Sequence, residues 1–114
     1  MAYDEDLADR VRVAVGRSVD ATGLVTEKQM FGGLAYLLGG NMAVAASGQG
    51  GLMLRVDPGQ TESLLEQPHC GPMVMRGREL DGWVRVEPAG VESDEDLQRW
   101  VDIGLTRAGS LPPK

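Results

Sequence analysis

Lys28–Val56 reads KQMFGGLAYLLGGNMAVAASGQGGLMLRV, and this stretch decides the fold. It holds three short apolar runs, Leu34–Leu38, Met42–Ala46 and Leu52–Val56, separated by clusters of glycine. Runs of that length, punctuated by glycine and free of proline, predict a three-strand antiparallel meander. Gly39-Gly40-Asn41 and Gly48-Gln49-Gly50-Gly51 supply the turns, because glycine and asparagine accept the positive φ of tight hairpins. Upstream, Val25 and Thr26 begin the first strand, which runs through Met30 and Phe31. The Gly32-Gly33 pair then predicts a bulge or a close backbone approach within that strand.

Working outward, Leu7, Val11, Ala14 and Val15 recur at helical spacing and predict a helix from Asp4 to Arg17. Asp4 is its cap, and Glu5 and Asp6 favour the positive end of the helix dipole. On the other side of the meander, Asp57-Pro58 is a helix start, with Leu64 and Leu65 facing the sheet and Pro68 ending the segment. Met73–Arg76 and Trp83–Glu87 form a second hairpin around Gly77–Gly82. Ser93 caps a last helix with a stripe of Leu97, Trp100, Val101, Gly104, Leu105 and Ala108, closed by Gly109 and Pro112. Gly104 within that stripe marks a tight contact, at a cost in helix propensity. Trp83 and Trp100 are both assigned to the core. The expectation is an α+β, two-layer fold of one domain spanning 1–114: a five-stranded antiparallel sheet with helices packed on one side, in the order α-βββ-α-ββ-α.

Composition narrows the function classes. Apolar residues make up 42 % and aromatics only 4 %, so Leu, Val, Ala and Met fill the core. Seventeen acids against 11 bases give a net charge of −6. Nucleic-acid binding rests on Lys and Arg neutralising phosphates, so direct binding of DNA or RNA is not expected. Arg76 and Arg78, with Arg55 or Arg85, are local basic spots or the solvent side of a strand. A single cysteine forbids an internal disulfide, and the N-terminus lacks the basic and apolar regions of a signal peptide. No apolar run is long enough to cross a bilayer. A cytoplasmic protein with no membrane contact is the expectation.

Lys28-Gln-Met-Phe-Gly-Gly-Leu, the hairpin Gly40-Asn41-Met42 and the helix opening Ser93-Asp-Glu-Asp-Leu-Gln-Arg-Trp-Val carry a resemblance. Together they resemble the TfoX N-terminal domain family, which includes Sxy-type competence regulators and stand-alone single-domain proteins. The resemblance implies a two-layer α+β fold and a regulatory or adaptor role in transcription or DNA uptake. It implies no catalytic residue. The regulators carry a second, helical C-terminal domain, whereas this chain stops at Lys114. Arg76–Trp83 resembles the stand-alone members.

Met30, Phe31, Gly32 and Gly33 are the candidate interaction residues, with Phe31 as a partner anchor. The alternative is that Phe31 is core and the glycines serve backbone geometry. His69 and Cys70, with Arg55 or Arg76 converging on them, form an alternative ligand or catalytic site. A nucleophilic thiol needs a base within hydrogen-bond reach, and zinc needs about four ligands, of which only carboxylates remain to complete the set. Met73 and Met75 share a strand face, a copper(I) geometry or ordinary core filling. The acids Asp94, Glu95 and Asp96 suit capping. The reading is a non-enzymatic module without a cofactor, metal or catalytic residue. It would bind a protein partner, or a second copy of itself, through a sheet face or an unpaired edge strand.

Overall fold

The computed structural model describes residues 3–18, 25–30 and 32–112. The chain is α+β, with one antiparallel sheet and three helices. The strands are β1 (Val25–Met30), β2 (Gly33–Leu38), β3 (Asn41–Ala46), β4 (Leu52–Arg55), β5 (Cys70–Met75) and β6 (Arg78–Val86). The helices are α1 (Glu5–Arg17), α2 (Thr61–Leu65) and α3 (Asp94–Ser110). The sheet therefore has six strands, not five, in the order β1-β2-β3-β4-β6-β5.

The additional strand comes from the Gly32-Gly33 pair. Met30 pairs with Gly33 and Val25 with Leu38, so the chain reverses between β1 and β2 instead of bulging within one strand. Gly32 sits at φ 74°, where a side chain would be strained. Gly33 is required for another reason: a Cβ there would collide with the Ala46 carbonyl oxygen on β3. A second departure is at β5, which begins at Cys70 rather than Met73, with its irregularity between Pro72 and Val74.

The helix starts follow the local chemistry. The Asp4 carboxylate accepts from the Asp6 and Leu7 N–H groups, and the Ser93 hydroxyl accepts from the Asp96 N–H at 3.1 Å. Asp57 caps a 3-10 turn, Pro58–Gln60, that leads into the short α2. Leu7, Val11, Ala14 and Val15 of α1 and Leu97, Trp100, Val101, Leu105 and Ala108 of α3 are buried. They pack on Leu34, Tyr36, Leu54, Val84 and Val86 of the sheet. Gly104 brings α3 close to β3, a Cβ there standing 2.5 Å from the Ala43 carbonyl oxygen. Leu64 of α2 belongs to the same core, so all three helices lie on one face.

Candidate interaction surface

Side chains alternate across a strand, and direct cross-strand partners share a face. The register therefore assigns the opposite, outer face of the sheet. One row across it reads Lys28, Ala35, Ala45, Met53, Arg85 and Gly71, from β1 to β5. Arg55 and Trp83 form another outer pair, with the Arg55 guanidinium 5.1 Å from the ring centroid. Ala35, Ala45, Met53 and Met73 form a second apolar cluster on this face, with Met30, Leu37, Met42, Leu80 and Trp83 packed against them and partly exposed.

Trp83 thus stands apart from Trp100. Trp100 is 1 % exposed in the helical core, whereas Trp83 faces outward. Four methionines, Met30, Met53, Met73 and Met75, line a depression of about 240 Å³ with Ala45 and Arg85. The two edge strands, β1 and β5, both contribute to it. Met53 and Met73 are buried there, Met30 is partly exposed and Met75 is exposed.

Charge divides in the same way as the layers. On the helical side, Arg10 pairs with Asp94 at 3.2 Å and Arg99 with Asp96 at 3.8 Å. Arg12 there binds both Asp9 and Glu27. The Arg12 hydrogen bonds hold the Glu27 carboxyl below its ordinary range. Among the described residues, no carboxylate stands at ion-pair distance from Lys28, Arg55 or Arg85. Among the acids of the strands, Glu27 alternates to the helical face, where it pairs with Tyr36.

The other sequence candidates are dispersed. Met30 belongs to the outer face, Gly32 to the β1–β2 turn and Gly33 to the start of β2, while Phe31 lies outside the described residues. His69 and Cys70 line a separate cleft of about 350 Å³, in which the arginine is Arg85. Arg55 lies over Trp83, and Arg76 sits at φ 55° in the β5–β6 turn. His69 Nδ1 is 3.5 Å from Glu87 Oε2, and the Glu87 N–H donates to the His69 carbonyl at 2.8 Å. Cys70 pairs with Val86 in register and packs on the helical core, and burial pushes its thiol up, against the opposing effect of Arg99. A thiol held in its protonated form is a poor nucleophile.

Another cleft, of about 800 Å³, lies apart from both places, between α3 and the Asp57 turn. Its polar groups mostly engage one another: Asp57 caps, Asp96 pairs with Arg99, and Gln98 donates to Asp102. The Arg107 Nε is buried without a hydrogen-bond partner among the described residues, and Arg107 lines this cleft together with Asp57, Glu95, Asp96 and Asp102. Among the described residues, no three His, Cys, Asp or Glu side chains gather as a metal site. No described helix is long and apolar enough to cross a membrane.

Sequence reasoning singled out Met30 of the outer face and named Arg55 and Arg85 only as a loose basic spot. It missed Lys28, Leu37, Met42 and Met53 as members of one surface. The apolar runs signalled strands, but the facing of each residue follows from register. No curated protein and no solved structure matches the chain. The TfoX N-terminal domain family model matches residues 17–108, and the chain belongs to that family.

Proposed function

We propose that this member of the TfoX N-terminal domain family is a non-enzymatic regulatory or adaptor module. It acts by protein contacts made through the outer sheet face, in the control of transcription or DNA uptake. One observation carries the reading. All three helices pack on one side of the sheet; on the other, Met30, Leu37, Met42, Leu80 and Trp83 stay partly exposed over a buried layer of Ala35, Ala45, Met53 and Met73, and Val74 and Met75 are exposed on the edge strand β5. An apolar rim of this kind, ending on an edge strand, supports a protein-contact reading.

The test is capture of tagged protein from native lysate with nuclease treatment, comparing the wild-type chain with Met42→Glu. Met42 is only half-buried, so the variant is expected to fold, as circular dichroism checks. A nuclease-resistant partner held by the wild type and lost from the variant supports the reading. A partner retained by both, or released by nuclease, counts against it.

A second reading rests on the His69 cleft. His69 is held at φ 65°, in the left-handed region, with Cys70, Arg85 and Glu87 around one concavity. Backbone strain of this kind collects at functional sites. A small anionic ligand or an enzymatic role for the cleft would follow. Screening carboxylates and phosphate monoesters by thermal shift against wild type and His69→Ala decides it. A ligand that stabilises only the wild type favours this reading, and its absence from the screen favours the first.

A further inference from the structure

We infer that the depression between the β1 and β5 edges binds one soft monovalent metal ion, copper(I), through the thioethers of Met30, Met53, Met73 and Met75. This goes beyond the protein-contact reading and does not rest on it.

Four of the six methionines line this one depression of about 240 Å³. They come from three strands spread across the sheet: Met30 ends β1, Met53 lies in β4, and Met73 and Met75 lie in β5. β1 and β5 are opposite edges, five strand spacings apart, which is roughly 24 Å along a flat sheet. A depression this small touches both edges only because the sheet curls around its outer face. The curl brings thioethers that are remote in sequence to one concavity. Met53 and Met73 are its buried members, at 6 % and 8 % exposed, whereas Met75 is 39 % exposed and Met30 partly so. An ion can therefore enter past two accessible thioethers and reach two buried ones.

The lining decides which metal suits it. Among the described residues it holds no carboxylate, imidazole or thiol, so calcium, magnesium and zinc find no charged or imidazole ligand there. Thioether sulfur is a soft, neutral donor and suits copper(I). Three rotatable bonds let Met30 and Met75 adjust around an ion without backbone movement. Arg85 also lines the depression, and its charge opposes any cation; its Nη2 donates to the Gly50 carbonyl at 3.3 Å. That repulsion scales with ionic charge, so it too favours a monovalent ion over a divalent one. Met42 packs in the same apolar cluster without lining the depression, and Cys70 lines a different cleft. Both supply controls.

The test titrates the full chain with silver(I), and with copper(I) kept reduced by ascorbate under anaerobic conditions. Cys70→Ser is the background, so that the thiol contributes nothing. Competition with bicinchoninate reads affinity, and methionine methyl NMR reads which thioethers bind. One ion should bind per chain, shifting the methyl signals of Met30, Met53, Met73 and Met75 but not that of Met42. Met73→Leu combined with Met75→Leu should weaken binding by about tenfold or more, whereas Met42→Leu should leave it unchanged. Leucine conserves volume, so these variants should fold, as circular dichroism checks. Met75 is exposed, so Met75→Leu alone decides the matter if the double variant misfolds. Affinity should hold constant from about pH 5 to 8, since thioethers do not titrate as imidazole and thiol ligands do. The inference is overturned by the lack of a one-to-one complex, by shifts spread evenly over all methionines, or by equal losses on Met42→Leu and Met75→Leu. None of these outcomes bears on the lysate capture, which judges the protein-contact reading separately.

Discussion

The Arg55 guanidinium lies 5.1 Å from the centroid of the Trp83 ring, and the two residues are direct partners across β4 and β6. The pair sits on the sheet face that no helix covers, so it holds a cation and an aromatic together in contact with solvent. A cation over an indole face is worth roughly 0.5–1 kcal/mol at such a site.

The two tryptophans should report on different layers. Acrylamide is expected to quench Trp83 readily and Trp100 very little, since Trp100 is 1 % exposed. Trp83→Phe should abolish the quenchable component, and Trp100→Phe should preserve it. Protection of that component on adding a bound partner would place the contact on the outer face.

Gly104→Ala should destabilise the fold although alanine is the better helix former by about 1 kcal/mol. A Cβ at this position stands 2.5 Å from the Ala43 carbonyl oxygen, so α3 and β3 must separate. The expected loss is about 1–3 kcal/mol in chemical denaturation. A neutral result would show that the helix can lift without loss of packing.

The Tyr36 hydroxyl donates to the Ala8 carbonyl oxygen at 2.6 Å, and burial, followed by the nearby Glu27 charge, pushes its pKa up to about 12. The folded chain therefore keeps a proton that the unfolded chain releases near pH 10. Stability should fall as pH rises from about 10 through 12. Tyr36→Phe should lose that dependence on this residue while costing about 1 kcal/mol at neutral pH. Thermal melts of both proteins across the alkaline range measure the difference.

His69 at φ 65° separates backbone strain from side-chain chemistry. His69→Gly should be neutral or stabilising by about 1 kcal/mol, because glycine accepts the left-handed region without a Cβ conflict. His69→Val should be worse than His69→Gly by about 2 kcal/mol or more, since branching at Cβ suits that region poorly. Equal stabilities for the two would mean that the loop relaxes to another conformation.

Much of the fold was legible in particular residues. The Asp4 and Ser93 caps, the stripes of α1 and α3, and the close approach at Gly104 follow from local spacing and side-chain chemistry. Of the two expectations for Gly32-Gly33, the close backbone approach holds at Gly33, whereas the continuous strand does not, because β1, with Thr26, Glu27, Lys28 and Gln29, has almost no apolar alternation to mark it as a separate strand. Only its pairing with β2 distinguishes a turn from a bulge. Trp83 was grouped with Trp100 because an aromatic residue in a strand carries no sign of which face it takes.

By itself, the sequence determined where helices begin, which stripes they bury and where glycine lets the chain turn. These depend on contacts within a few residues, and the local chain dictates them. The tertiary structure alone decided that Ala35, Ala45, Met53 and Met73 are buried together on the sheet face away from the helices, with Lys28, Arg55 and Arg85 around them. Those residues are far apart in the chain. Cross-strand register brings them to one face.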